Sequence, residues 1–275
     1  MNKTWCLALL LPLVQPVSAS ELAAHDWSGF HAGLDFGYGS GQTRTTMTGS
    51  ASYANPESSE SGQLAAAMAN AVPTGIDTSP TGYAGGLSLG YNWRSGPLVY
   101  GLEADLLGTT IRKSGNADGS SPISGFPWND LSSTLHQENR IDNLKMLRAR
   151  LGYGRDNWLL YATAGIVLAE VRSRLAATEY IQGEIGNITS TLPGSISTKG
   201  ERFGWTVGFG LEYAVTENWS LRTDYLYYNL GNSLTHTSFT SYQTDSSGAP
   251  YASATADLKT TWSGNLVTMG LNYRF

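Results

Sequence analysis

Between Phe203 and Tyr213 every second residue is large and apolar. Phe203, Trp205, Val207, Phe209, Leu211 and Tyr213 share one face of an extended chain, and Gly204, Thr206, Gly208, Gly210 and Glu212 share the other. A repeat of two is the side-chain period of a β-strand. The decisive point is what the second face holds: glycine, one hydroxyl and one carboxylate. A soluble sandwich would bury the bulky face against another sheet. A strand that turns small and charged residues into a narrow lumen, and bulk outward, suits a barrel facing lipid.

Four segments alternate in this way almost without fault, and eight in all read as strands, giving an expected all-β, eight-stranded antiparallel transmembrane β-barrel. The strands are expected over residues 27–39, 83–94, 98–108, 142–153, 158–170, 203–213, 219–228 and 260–275. Phe30, Leu34, Phe36 and Tyr38 point outward on the first, and Val267, Met269, Leu271, Tyr273 and Phe275 on the last. The fifth is apolar on both faces, so alternation alone leaves its register open.

The connections alternate in length. Turns at 94–97, 154–157 and 215–218 carry Gly, Asn or Pro. Between them lie polar stretches at 40–81, 109–140, 171–201 and 229–259, expected as four long external loops opposite short periplasmic turns. Trp27, Tyr91, Trp93, Tyr100, Tyr153, Trp158, Tyr213, Trp219 and Tyr273 crowd the turn end, as an aromatic girdle at the headgroup level would. Tyr83, Trp205, Tyr225, Tyr227 and Trp262 are candidates for the opposite belt.

At the N-terminus, Lys3 precedes the apolar run Trp5–Val14, which is too short to span a bilayer. Val17-Ser18-Ala19 supplies small residues for cleavage, so residues 1–19 read as a signal peptide and 20–275 as the barrel domain. Cys6, the only cysteine, lies in the segment to be removed. The remainder holds 16 basic and 22 acidic side chains. That balance argues against nucleic acid as a partner.

Several stretches together carry a family resemblance: Trp27-Ser-Gly-Phe-His-Ala-Gly, Gly90-Tyr-Asn-Trp, Gly101-Leu-Glu-Ala-Asp, Arg148-Ala-Arg-Leu-Gly-Tyr, Gly204-Trp-Thr-Val-Gly-Phe-Gly-Leu-Glu-Tyr and the terminal Gly270-Leu-Asn-Tyr-Arg-Phe. The chain resembles the small outer-membrane β-barrels of alphaproteobacteria known as outer-membrane immunogenic or porin-family proteins. The resemblance implies outer-membrane location and insertion by the barrel-assembly machinery, with Tyr273 and Phe275 forming the C-terminal signal. It implies no single activity, since members include surface antigens, small porins and haem binders.

The residues with chemical content face inward: Asp35, Glu103, Asp105, Arg148, Arg150, Glu212, Arg222 and Asp224 all lie four to eight residues above the turns. They are expected to form one charged layer in the lower lumen. Glu212 and Arg222 are placed to meet across their hairpin, and Glu103 or Asp105 to meet Arg148 or Arg150. An eight-stranded barrel is just wide enough for its side chains, so mutual pairing that plugs the lumen is favoured over an ion path.

Catalysis is not expected. His136 with Ser133, and His236 with Ser233, are the candidates for a base with a nearby hydroxyl, with no orienting acid evident in the sequence. The four histidines are scattered, so no metal or cofactor is expected, and His31 reads as a lumen filler. The expected role is structural and surface-exposed. A small diffusion channel, or binding of haem or a host surface by the loops, are the alternatives. Outer-membrane lipid and lipopolysaccharide are the expected surroundings, with Arg112, Lys113, Arg172 and Arg174 as candidate contacts. Oligomeric state is left open.

Overall fold

The computed structural model describes residues 25–54, 59–125, 130–182, 188–191, 196–240 and 252–275. Eight long strands close a ring: β1 (Gly29–Ala54), β3 (Thr81–Ser95), β4 (Leu98–Pro122), β5 (Asp130–Arg155), β6 (Trp158–Gln182), β8 (Ile196–Ala214), β9 (Trp219–Thr240) and β10 (Ala252–Arg274). Each is antiparallel to the next, and β10 returns to β1 along its whole length. Two short strands add to the wall: β2 (Gly75–Thr78) pairs on β1 at Thr43–Thr46, just above the end of β3, and β7 (Ile188–Thr191) pairs on β6 near its upper end. At the level of the apolar band closure leaves no unpaired edge, which lipid requires; above it β3 ends at Thr81, and the pairing of β8 with β9 ends at Trp205 and Asn229.

The tight connections fall where turn chemistry placed them. Gly96, with φ of 61°, and Pro97 join β3 to β4, and Asp156, with φ of 51°, and Asn157 join β5 to β6. The fifth long strand, β6, has a settled register: Leu159, Tyr161, Thr163 and Val167 face in, while Leu160 and Ile166 face out.

The expected long loops are a correction. Most of the polar stretches at 40–81, 109–140, 171–201 and 229–259 are strand, so β1, β4, β5 and β6 run to 25 or 26 residues. The reason is physical. Above the membrane the outer face meets water, so both faces of the strand become polar and the apolar–polar contrast disappears while pairing continues. On β4, Arg112, Ser114, Asn116 and Asp118 point out, beside Gly115, Ala117 and Gly119. At about 3.3 Å per residue and about 40° of tilt, the 16 residues from Tyr38 to Ala54 rise about 40 Å above the apolar band.

Helix α1 (Ser59–Asn70) fills the mouth of this extension. Its alanines favour helix, and Leu64, Ala65, Ala67, Met68 and Ala71 recur at helical spacing to give one buried side. They pack with Met47, Leu131, Leu135, Leu175, Ala254 and Leu258 of the barrel wall. Gly49 and Gly119 lack the Cβ that would strike the backbone carbonyls of Ala69 and Ala71. The wall therefore admits the helix at close range.

Two aromatic assignments also change. Trp27 is not in the girdle; it is 3% exposed and closes the barrel floor with Val99, Leu159, Tyr161 and Ala214. Trp262 is not in the outer belt; it points inward and packs with Tyr228 and Leu266. The other girdle residues do line the outside, and neighbours touch: Trp93 stacks on Tyr100 at 5.8 Å and Trp219 meets Tyr273 at 4.9 Å. The proposed signal segment, 1–19, lies outside the described residues.

Candidate functional site

The inward charges form one buried cluster at the level of the apolar outer band. Glu103 of β4 is its hub. It meets Arg148 of β5, directly opposite in register, Arg222 Nη1 at 2.6 Å, and His31 Nε2 at 3.3 Å. Arg148 donates from Nε and Nη2 to Asp105, at 2.8 and 3.0 Å, and from Nη1 to Thr163 at 3.3 Å. It is 1% exposed. Arg222 of β9 donates from Nε and Nη2 to Asp35 of β1 at 3.0 and 2.7 Å.

The second half of the cluster centres on Arg150. It pairs with Glu212 and lies 3.5 Å from the centre of the Tyr161 ring. Glu212 also accepts from Ser220 Oγ at 2.5 Å and Asn272 Nδ2 at 2.9 Å, while Tyr161 donates to Asp224 at 2.7 Å. Five carboxylates face three guanidiniums, and these hydroxyl and amide donors serve the anions that cations do not reach. All eight sequence-identified charges are thus brought together. One expected partnership is corrected: Glu212 and Arg222 are in register, yet Glu212 takes Arg150, and Arg222 reaches Asp35 and Glu103.

Glycine makes the reach possible. Asp35, Gly270 and Arg222 lie in one register row across β1, β10 and β9. His31, Gly90 and Glu103 do so across β1, β3 and β4, and Tyr161, Gly210 and Asp224 across β6, β8 and β9. In each row the outer two side chains meet over the glycine, and a Cβ there would collide with one or both partners. The inward glycines therefore provide volume for long side chains.

The ionic layer is one of several. Beneath it lies the Trp27 floor. Above it is an apolar layer that the strand pattern did not reveal, built from Leu107, Ile111, Leu144, Val167, Leu226, Tyr228, Trp262 and Leu266. Next comes a polar layer in which Thr45 bonds Thr260 at 2.9 Å and Ser173 bonds Asn139 at 2.9 Å. The helix layer closes the top. The missed apolar layer had a signal: Leu144, Leu226 and Leu266 sit on the inward parity of their strands.

Of the histidine candidates, His236 does have an acid, Asp257, directly opposite on β10, which the sequence did not reveal. Ser233 lies three residues away on the same strand, hence on the opposite face. His136 bonds Asn116 at 2.6 Å on the outside, while Ser133 is buried inside. Among the described residues, no nucleophile joins either imidazole. Among the described residues, no three His, Cys, Asp or Glu side chains are grouped to hold a metal. At the C-terminus Phe275 is exposed, its ring 5.5 Å from Phe30 and 5.0 Å from Tyr273.

Comparison with known proteins agrees with this architecture. The family described as outer membrane protein beta-barrel domain matches residues 7–275. The 31 kDa outer-membrane immunogenic protein of Brucella melitensis biotype 1 is 29% identical over 217 residues, which cover 78% of this chain and 75% of that protein. The 22 kDa outer membrane protein of Rhizobium leguminosarum bv. viciae is 30% identical over 153 residues, 56% of this chain and 55% of that protein. Among solved structures, the outer membrane protein OprG of Pseudomonas aeruginosa shares 10% identity and a TM-score of 0.41, covering 90% of this chain and 96% of that one. That likeness is too distant to bear on residue roles. With the closed ring, the lipid-facing band and a family match over nearly its whole length, the chain belongs to the outer membrane protein beta-barrel domain family and resides in the outer membrane.

Proposed function

We propose that this barrel is a closed, non-catalytic structural element of the outer membrane that displays its upper rim at the cell surface. The observation that carries this reading is the layered lumen: floor, ionic layer, apolar layer, polar layer and helix follow one another from turn end to rim. A water column cannot pass buried apolar layers without their repacking. Removal of any one of the three arginines leaves carboxylates buried without compensation, so the ionic layer serves to lock the ring. The small-channel reading needs an open path that these layers interrupt.

The same proposal includes export by a signal ending at Ala19 and recognition of Tyr273 and Phe275 by the barrel-assembly machinery, with the exposed Phe275 ring supporting the latter. The relatives named as immunogenic proteins fit a surface role. The test is planar-bilayer conductance of the refolded mature barrel. A silent bilayer with verified insertion agrees with closure, and steady unit steps in wild type would reject it.

A further inference from the structure

Above the apolar band, four cations stand side by side across four strands. Arg112 of β4 is in register with Arg140 of β5, Arg140 with Arg172 of β6, and Arg172 with Lys199 of β8. Residues in register share a face, and all four are exposed on the outside. Arg174, the next outward position up β6, adds a fifth exposed cation. Like charges directly opposite in a sheet destabilise it. This chain has a net charge of −5, so a rank of one positive sign is not a matter of composition.

The local carboxylates only partly offset the rank. Asp142 contacts Arg140 and lies 2.7 Å from Arg172 Nε. Glu170 lies 2.7 Å from Lys199 Nζ and 3.5 Å from Arg172 Nη2. The Lys199 hydrogen bond holds the Glu170 carboxyl below its usual range, so it stays ionised. Glu138 stands opposite Arg174 in register. Among the described residues, Arg112 has no carboxylate at ion-pair distance, and the Nη atoms of Arg140 have no acceptor. Five cations thus meet three carboxylates.

Height selects the kind of anion. Lys199 lies four residues above Phe203 and Arg172 four above Leu168, which is in register with Phe203; on β4 a bulge puts Arg112 six residues above Leu106 of the same row. That places the rank about 10 Å above the band. The polar zone of an ordinary bilayer is only about 5–8 Å deep on each side, so a phospholipid phosphate lies below the rank. A phosphate carried on a sugar headgroup reaches it.

We propose that Arg112, Arg140, Arg172 and Lys199 form a docking site for the phosphorylated sugar headgroup of lipopolysaccharide in the outer leaflet. This rests on the reading of the chain as an outer-membrane barrel whose long-strand end is external. Lys113, one residue along β4, falls on the opposite face and takes no part.

The full-length mature barrel, refolded in detergent, is titrated with purified lipopolysaccharide, with the same lipopolysaccharide after enzymatic dephosphorylation, and with inorganic phosphate as competitor. The combined Arg112→Gln, Arg140→Gln, Arg172→Gln, Lys199→Gln variant is compared with an Arg44→Gln, Arg155→Gln control of two exposed cations elsewhere. Expected is a loss of affinity of about tenfold or more for the fourfold variant and for the dephosphorylated probe, with the control unchanged. Equal affinities for wild type and fourfold variant, or equal affinities for the two probes, would overturn the site. Full competition by millimolar inorganic phosphate would also overturn it, in favour of a free-anion site. Insertion into phosphatidylcholine vesicles is scored separately for each chain. Failure of wild type to insert rejects the barrel reading beneath the site, whereas normal insertion with equal affinities rejects the site alone.

Discussion

Arg222 and Asp35, 187 residues apart in the chain, meet over Gly270. The pair ties β9 to β1 across β10, which lies between them, so the ion pair spans the seam where the two ends of the chain close the ring. Backbone pairing joins each strand to its neighbours only. Side chains of the cluster join strands two apart, β1 to β9 and β4, β6 to β9, and β5 and β10 to β8, and so resist shear of the register as well as separation of strands.

Arg222→Ala is expected to destabilise the folded barrel by about 3–5 kcal/mol, because Asp35 and Glu103 stay buried without their cation. Arg44→Ala, which removes an exposed pair with Asp77, is expected to leave stability nearly unchanged. Urea unfolding from lipid vesicles measures both, and equal midpoints would show that the buried cluster does not hold the ring.

Gly270→Val places methyl groups between Asp35 and Arg222, where even a Cβ meets both. The expected cost is about 1–3 kcal/mol or failure to close. Gly200→Val, at a position with nothing within 4 Å of the added Cβ, is expected to be close to neutral. Thermal midpoints from heat-modified gel mobility separate the two.

Trp27→Ala removes the floor and is expected to cost about 3–5 kcal/mol. It is nonetheless expected to leave the bilayer silent, because the Leu144–Leu226–Leu266 layer above it is untouched. Ion steps in this variant alone would identify Trp27 as the sole barrier.

His25 lies below β1, where burial first and the Arg274 cation second push its pKa down to about 4 from 6.5. Between those values the unfolded chain carries a proton that the folded chain lacks. Stability therefore rises with pH from about 4 to 6.5, and no further loss from this group follows below 4. His25 is only partly buried, so the effect is discounted to about 1 kcal/mol. NMR titration of the ring protons checks the pKa, and His25→Asn should remove this part of the slope.

The membrane-level barrel was legible because lipid outside and water-like polarity inside impose opposite chemistry on alternate residues, as at Phe203–Tyr213. The same contrast placed all eight cluster charges on the inner face. It could not say which charges pair, because partners such as Arg222 and Asp35 are set by ring closure and by glycine gaps on the strand between. It also fell silent above Tyr38, where strands with two polar faces read as loops. Trp27 read as a girdle residue because height along the chain is visible in sequence, whereas the bend that turns a side chain under the barrel is not. Helix α1 lies within the stretch 40–81 that read as a loop, and its position inside the mouth depends on the unforeseen wall around it.

A rise of about 40 Å from the apolar band to the end of β1 exceeds the whole hydrocarbon thickness of a bilayer. Most of the molecule's height is therefore a pillar standing in the sugar coat, braced inside by α1 and the polar rows. Such a pillar carries the upper ends of its long strands past the inner saccharides. A large visitor, an antibody or a phage tip, would reach those ends while the membrane-level wall stays screened, so sequence change there can proceed without disturbing the part that holds the barrel in place.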